Sequence, residues 1–526
     1  MLRQIKDPKF LLVYPPLQFQ DGEVVRPDGC LANAYLDASL TKAGFESKII
    51  DMAVGDEQDT LEETFYNPVK IKDAVRGVGS ISRIGMSTNR ILESVKDYDI
   101  IGITSVFTQQ ASMCFEVSNL IKKHYPEKIV IGGGSNCRAM SDLFLNNGFD
   151  VIFTSEAEFS IVEFARSIHK GDLSLSKVEG ICFHNGIKYQ RNPVINTIWD
   201  LDQISMPSWH KLPLKKHWDI SNLWTGREGF VEFEDEYVKY ANIFTSRGCP
   251  FNCTFCHISG ENDDWSGDIG KFRVHSVDRV VEEFKVLKEL GVKYLYINDD
   301  SLLAKKKRAY EIFDKLRSFD FRLADINGIN IVHFFKKHKG KLIVDEELLH
   351  MFYEAGFRKL SIPLENGNQR ILDKWCDAKW NIERCDTISL VKKMKDIGIA
   401  TDGNIMMGFP DETPDELTQS FIFAKRHMEA GMDGLGFFIV QPLPGTKLYH
   451  QTIANGQLSP DWHPDEIGWV KGSMFENMLI PNEVLIYCRR MMWQVLGLDE
   501  KKKSVVDFVQ SHYAYTDSMG QFHEKH

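Results

Sequence analysis

Arg247-Gly248-Cys249-Pro250-Phe251-Asn252-Cys253-Thr254-Phe255-Cys256 sets three cysteines within eight residues, at the spacing C-x3-C-x2-C. The stretch follows Asn242–Thr245, which reads as a β-strand, so the cysteines fall on the loop at that strand's carboxyl end. Three thiolates this close can bind three irons of a 4Fe–4S cluster and leave one iron open. A structural zinc ion asks for four ligands. Only His257 adjoins the three cysteines, and neighbouring residues cannot easily both reach one tetrahedral ion. The remaining seven of the ten cysteines are scattered. A chain of 526 residues builds large cores without disulfides.

Outward from this stretch, strand and helix patterns alternate. Downstream strand candidates are Val292–Ile297, Ile326–Val332, Lys359–Leu364, Ile399–Gly408 and Leu435–Val440. In 276–290 the apolar positions Val277, Val280, Val281, Phe284, Leu287 and Leu290 share one helical face. About six strand–helix units predict a partial (β/α)6 barrel whose reactive face is the carboxyl end of its strands. Upstream, Phe10–Val13, Lys48–Ile50, Ile100–Ile103, Ile129–Ile131 and Val151–Phe153 are short apolar runs separated by helical patterns near 31–43, 111–124 and 158–169. That rhythm predicts a doubly wound, Rossmann-like parallel sheet, which binds ligands at its strand ends beside a switch in strand order. Residues 54–90 break the rhythm and read as an insertion. The division expected is 1–175 for the front α/β domain, 176–235 for a connector, 236–450 for the barrel and 451–526 for a C-terminal helical region with a frayed tail. In that last region Trp462, Trp469, Met474, Phe475, Met491, Met492 and Trp493 read as core packing.

Composition narrows the function classes. Lys and Arg number 63 against 74 Asp and Glu, a net charge of −11. Bulk nucleic-acid and anionic-membrane binders carry the opposite sign. Hydrophobic residues at 43% and charged residues at 26% exclude a collagen-like or wholly disordered chain. No apolar run reaches the ~18 residues that span a bilayer, and Met1–Pro8 lacks the apolar core of a secretory signal. The expected location is the cytoplasm.

With these motifs in hand, the chain resembles the cobalamin-dependent branch of the radical S-adenosylmethionine (SAM) superfamily, and its methyltransferases above all. The resemblance implies that Cys249, Cys253 and Cys256 hold the cluster, whose open iron chelates SAM. Phe255 would lie near the adenine. In Asn298-Asp299-Asp300, Asn298 and Asp299 would face the methionyl amino group. Glu365, within Pro363-Leu364-Glu365-Asn366-Gly367, would stand near the ribose. Gly408-Phe409-Pro410-Asp411-Glu412-Thr413 and Pro442-Leu443-Pro444-Gly445-Thr446 also look like segments of that branch. The front domain resembles its cobalamin-binding unit. Thr104, Ser105, Thr108 and Gln109 in one strand-end loop, Gly132, Gly133 and Gly134 in the next, and Ser155 and Glu156 of Ser155-Glu156-Ala157-Glu158 in the last would contact the corrin. Relatives more often carry Gly-Glu-Gly-Glu at that last position.

One group of cobalamin domains supplies a histidine to cobalt from Asp-x-His-x-x-Gly. That motif is absent here, and no histidine precedes His124. No histidine lower ligand is expected; the loop Val106–Gln110 would cover that face. The implied reaction is methylation of an unactivated carbon of a small biosynthetic intermediate. One SAM would remethylate the corrin, and a second would generate a deoxyadenosyl radical. A non-methylating cyclase, ring-contracting or oxidising relative is the alternative. A cobalamin-responsive regulator with a structural cluster is the alternative of another class. A reductant such as flavodoxin or ferredoxin is the implied partner.

Two further features stand apart. Cys30, Cys114, Cys137 and Cys182 do not match the second three-cysteine cluster of methylthiotransferases and read as buried thiols. His333-Phe334-Phe335-Lys336-Lys337-His338-Lys339-Gly340-Lys341 is a basic run on an acidic chain. It reads as a solvated face or as a holder for an anionic substrate, such as a phosphonate or nucleotide-linked intermediate. His333 and His338 lack a third ligand nearby and do not read as a metal site. Lys305–Lys307 and Lys501–Lys503 read as surface lysines.

Overall fold

Five apolar runs build the parallel part of the front sheet. Strand β1 (Phe10–Tyr14) stops at Pro15-Pro16. In the computed structural model of the chain, residues 2–20, 30–75, 79–222, 237–263, 265–459, 461–468, 472–476, 478–497, 504–516 and 522–524 are described. The next strands are β2 (Leu17–Gln20), β3 (Ser47–Asp51), β4 (Val69–Val75), β5 (Gly79–Ile84), β6 (Ile100–Thr104), β7 (Ile129–Gly133), β8 (Val151–Phe153), β9 (Ile181–His184) and β10 (Tyr189–Asn192). A seven-stranded sheet runs β10-β9-β8-β7-β6-β1-β3. Strands β3, β1, β6, β7 and β8 are parallel. The hairpin β9–β10 adds antiparallel strands at one edge. Strand order reverses between β1 and β6, and that is where such sheets leave a crevice at their carboxyl ends.

The insertion is ordered. Strands β4 and β5 pair antiparallel, and β5 pairs in turn with β2. The helical patterns near 31–43, 111–124 and 158–169 form helices Leu31–Lys42, Ala111–His124 and Ser160–Lys170, the last closed by Gly171 at φ 76°.

The second series supplies β11 (Tyr240–Ile243), β12 (Ser246–Arg247), β13 (Arg273–Val274), β14 (Tyr294–Ile297), β15 (Arg322–Asp325), β16 (Phe335–His338), β17 (Lys341–Val344), β18 (Phe357–Glu365), β19 (Ala400–Met407) and β20 (Gly434–Ile439). Six of them form one parallel sheet in chain order, β11-β14-β15-β18-β19-β20. One strand lies elsewhere than expected. The third is Arg322–Asp325, whereas Ile326–Val332 forms a loop and a short 3-10 turn. Ile326 is 44% exposed, and Ile329 and Ile331 are buried from loop positions. Their apolarity comes from packing against the sheet, not from belonging to it.

Residues beyond 450 pack onto this second core. Phe475, Val484, Leu485 and Tyr487 are buried in it, and Met491 and Met492 lie against it. The Trp462 ring meets Tyr449 at 5.9 Å. Trp469, the Trp493 side chain and Lys501–Lys503 lie outside the described residues. Asp465 ties this region back to the front domain. Its buried carboxylate accepts from Gln18 Nε2 at 2.8 Å and Ser112 Oγ at 2.6 Å, and it pairs with Lys72. Among the described residues no helix is long and apolar enough to cross a membrane.

Candidate active site between the two sheets

The cysteine loop leaves β11 under tight restraint. The Thr245 amide, Thr245 Oγ1 and Ser246 Oγ all donate to the Asp299 carboxylate, which is fully buried. Three donors on one carboxylate fasten the exit of β11 to the exit of β14. Asp299, expected at the methionyl amino group, therefore has its carboxylate committed inward. Its neighbour Asp300 lines a cavity and accepts from the Gly248 amide at 3.1 Å. Burial, with Asp299 adding to it, lifts the Asp300 carboxyl to about 7. Gly248 has φ 76°, and a Cβ there would stand 2.3 Å from the Lys271 carbonyl oxygen. Only glycine lets the loop pass this point.

Beyond Gly248 the Cys249 amide donates to Gly270 O at 3.0 Å, and Thr254 N–H to Trp375 O at 2.9 Å. Ser259 Oγ lies within 2.8 Å of the carbonyls of both Cys253 and Cys256. The turn Pro442–Thr446 backs the loop: Gly260 abuts the Gly445 carbonyl so closely that a Cβ would sit 2.3 Å from its oxygen. Burial pushes the Cys253 and Cys256 thiols up to about 12, and each feels the charge of the other cysteines. Among the described residues no three His, Cys, Asp or Glu side chains converge on one ion position. A cuboidal cluster needs no such convergence, because each thiolate binds its own iron and the ligands stand apart. Three thiols on one restrained loop fit that donor set.

Other expected residues gather here. Phe255 packs on Phe409 at 5.8 Å, and Phe409 stacks on Trp375. Glu412 locks that loop by accepting from the Gly408 and Phe409 amides and from Asn366 Nδ2. Asn298 Oδ1 is buried without a hydrogen-bond partner, a free acceptor beside the loop. Glu365 sits at φ 62° and forms an ion pair with Lys379 at 2.5 Å. Burial opposes the Lys379 charge, but Glu365, Cys253 and Cys376 outweigh it and hold the ammonium above its ordinary value. Nothing in the sequence pattern marked Lys379.

Between the strand ends of the two sheets lies a cavity of about 310 Å3. Gly102, Thr104, Val106, Gly132, Gly133 and Gly134 line it from the front domain; Phe244, Arg247, Gly248, Ile258 and Asp300 line it from the other side. A Cβ on Gly133 would meet nothing within 4 Å. No histidine is among its described lining residues.

Six of the expected front-domain residues line the cavity: Thr104, Gly132, Gly133, Gly134, Ser155 and Glu156. Ser105, Thr108 and Gln109 do not. Ser105 Oγ accepts from Asn136 Nδ2, and the Gln109 carbonyl accepts from Gln18. The loop turns early into a helix and packs on β2, so Val106 alone of Val106–Gln110 reaches the cavity. Ser155 Oγ donates to Ser266 O at 2.7 Å. Glu156 pairs with Arg247 at 3.0 Å and with Arg273 at 2.7 Å, and Glu158 with Arg247 at 2.7 Å. Burial works against the Glu156 charge, yet the two arginines hold its carboxyl below the usual range. The strand-end acids thus grip the residue two before Cys249. The Arg247 guanidinium also lies over the Tyr35 ring at 5.1 Å. Arg138 pairs with Glu261 across the same rim. Cys114, Cys137 and Cys182 are buried in the front core, as expected of apolar thiols.

Residues 243–424 match the Radical SAM superfamily. They are a radical SAM domain. Across most of its length the chain is similar to named methyltransferases. It is 26% identical over 490 residues to cytidylyl-2-hydroxyethylphosphonate methyltransferase of Streptomyces wedmorensis, covering 86% of this chain and 83% of the relative. It is 28% identical over 455 residues to an uncharacterized methyltransferase of Pyrococcus horikoshii, covering 86% and 84%. Among solved structures, the radical SAM methyltransferase TsrM of Kitasatospora setae, with cobalamin and a [4Fe-4S] cluster bound, aligns with TM-score 0.61 at 16% identity over 86% of this chain and 78% of its own. The same enzyme with tryptophan and a SAM analogue bound aligns with TM-score 0.61 at 16% identity over 98% and 84%. That likeness gives the fold: a front α/β sheet followed by the radical SAM domain. Every cavity residue from Phe244 to Asp300 belongs to the radical SAM domain, and the glycine wall opposite belongs to the front sheet.

Proposed function

We propose that the chain is a cobalamin-dependent radical SAM methyltransferase acting on an unactivated carbon of a small molecule. The single observation that carries this reading is the shared cavity. A wall of glycines from a doubly wound sheet faces Gly248 and Ile258, the residues that flank the three cysteines, across one cavity. When bound, the cluster supplies the electron that cleaves SAM, and cobalamin supplies the methyl group.

The chain's own residues divide the rest of the work. Cys249, Cys253 and Cys256 hold the cluster. Asn298 Oδ1, an acceptor without a partner, and the cavity-facing Asp300 receive the methionyl ammonium, which favours the Asp300 carboxylate over its neutral form. Lys379 offsets the negative charge of the thiolates, and Glu365 fixes Lys379 beside the ribose. Phe255 and Phe409 offer an apolar face to the adenine. Gly132, Gly133, Gly134, Thr104 and Val106 would hold the corrin. The curved wall of a partial (β/α)6 barrel, residues 236–450, carries the radical chemistry, with 1–175 as the corrin domain, 176–235 as the connector and 451–526 as the closing region. The substrate class is a phosphonate or nucleotide-linked intermediate, a reading supported by the name of the Streptomyces relative. All ten cysteines are free, in keeping with a reducing cytoplasm.

The test is anaerobic reconstitution with iron, sulfide and hydroxocobalamin, followed by SAM, a reductant and candidate substrates. The expected products are S-adenosylhomocysteine, 5′-deoxyadenosine and a methylated substrate. Deoxyadenosine without S-adenosylhomocysteine would indicate a cyclase or oxidising reaction. Neither product from cluster-loaded protein would contradict the proposal and favour a regulator.

A further inference from the structure

Among the described residues two arginines line the cavity, Arg138 and Arg247. Arg247 is committed to Glu156 and Glu158. Arg138 is not engaged in this way. Its amide donates to Gly134 O at 3.1 Å, so its guanidinium stands one helical turn beyond the glycine triplet. Among the described residues its one ion pair is with Glu261, which lines the cavity from the radical SAM domain. Glu261 closes the short helix His257–Gly260 that follows Cys256. The two side chains are 16% and 14% exposed, and Arg138 Nε is buried without a hydrogen-bond partner. The cavity meets solvent nearby: Val106 lines it and is 40% exposed, and its carbonyl accepts from Ser135 Oγ at 3.0 Å.

A guanidinium offers five N–H donors in a fixed fork. Glu261 pairs with Nη1 and leaves Nε unserved. A buried donor without an acceptor is costly, and the protein alone gives this one none. A phosphate or phosphonate group supplies two oxygens to the fork and carries the charge needed to compete with a carboxylate. A neutral group could not displace Glu261. The lining holds a second such donor. Asn33 Oδ1 accepts from Thr104 Oγ1 at 2.7 Å, and its buried Nδ2 has no partner. None of the lysines at 305–307 or 336–341 lines the cavity, so the basic run does not serve an anion bound there.

We propose that Arg138 is the receptor for a phosphate or phosphonate group on the methyl-accepting substrate, and that Glu261 holds its place until that group binds. The inference rests on the shared-cavity reading above and names a residue that sets its substrate specificity. Binding is an exchange of ion-pair partners: the substrate oxyanion takes the Arg138 fork and the Glu261 carboxylate leaves it. No covalent bond changes. Cobalamin also carries a phosphodiester, so the experiment separates that source from the substrate.

The experiment measures binding to the reconstituted holoenzyme by calorimetry, without turnover. The probes are cytidine 5′-monophosphate and its uncharged counterpart, cytidine. Wild type should bind the monophosphate about tenfold more tightly than cytidine. Arg138→Gln should weaken the monophosphate about 30-fold and leave cytidine unchanged, with iron and cobalt content as in wild type. Arg138→Lys should fall between, because an ammonium keeps the charge and loses the fork. Glu261→Gln removes the competing carboxylate and should tighten the monophosphate about threefold. A purely structural ion pair gives no such gain, so this variant keeps the test open if Arg138→Gln folds poorly. In a second arm, hydroxocobalamin and cobinamide, which lacks the phosphodiester, are titrated into cobalt-free protein. Arg138→Gln should bind both as wild type does. Equal affinity of wild type for monophosphate and cytidine, an unchanged monophosphate affinity in Arg138→Gln, or weaker binding in Glu261→Gln overturns the proposal. So does loss of cobalamin affinity with cobinamide affinity intact, which would assign Arg138 to the corrin. Failure of the methyltransferase reading shows separately, as Arg138-dependent binding without S-adenosylhomocysteine or deoxyadenosine in the turnover assay.

Discussion

The two walls of the cavity hold their shape by opposite means. The front wall is built on Gly132, Gly133 and Gly134: a Cβ on Gly133 would meet nothing within 4 Å, while Gly132 packs on Ile152 and Phe149 and Gly134 on the Ser105 carbonyl. The facing wall is charged, with Arg247 and Arg273 joined in one buried network to Glu156 and Glu158 of the front domain, and Asp299 tied by three donors. One wall receives a large flat ligand by leaving room. The other keeps a reactive loop still with ion pairs and hydrogen bonds on the residues that lead into it. The network spans both, since Glu156 and Glu158 come from the front domain and Arg247 precedes Cys249.

If that contrast holds, the largest effect comes from cutting the network. Arg247→Gln leaves the buried Glu158 carboxylate without its charged partner and Glu156 with Arg273 alone, and should cost about 3–5 kcal/mol. Denaturant unfolding would measure it, and both iron and cobalamin content should fall. Gly133→Leu fills the open wall. It should weaken cobalamin binding about 100-fold, the size expected when a few methylenes displace a ligand, with iron content unchanged. Loss of both cofactors in that variant would break the contrast between the walls. Asp300→Asn should raise the Kd for SAM about tenfold, as loss of one charge-assisted contact does, and leave cobalamin binding intact.

The smallest effect concerns pH. Burial lifts the Glu283 carboxyl to about 7 at the seam where it meets Tyr35 and Arg279. The folded chain keeps this proton after the unfolded chain, titrating near 4.5, has lost it. Stability from this group is therefore full below about 4.5, falls as pH rises through about 7, and is gone above. Glu283→Gln should flatten the decline in melting temperature between pH 5 and pH 8, by on the order of 1 kcal/mol. An unchanged slope would assign the decline to other groups.

The cysteine loop and most strands were legible because their signals are local. Three cysteines in one loop announce their chemistry wherever they fold, and short β-branched runs bounded by turn residues, such as Ile100–Ile103, favour buried strands. The charged network was not legible. Arg247 and Glu158 are 89 residues apart, and Arg273 and Glu156 are 117 apart. Each alone looks like an ordinary surface charge. The loop after β6 misled in a similar way. Thr108 and Gln109 look like strand-end binders, but Gln18 of a neighbouring strand captures Gln109 and Gln110. The displaced strand Arg322–Asp325 hid because its two end residues are charged.

The central claim is that one chain seats an iron–sulfur cluster and a corrin against a common cavity. Metal analysis of anaerobically reconstituted protein tests it most directly. Wild type should hold about four irons and one cobalt per chain, and the variant with Cys249→Ser, Cys253→Ser and Cys256→Ser should keep the cobalt and lose the iron. Iron retained in the serine variant, or no cobalt taken up by wild type, would contradict the account.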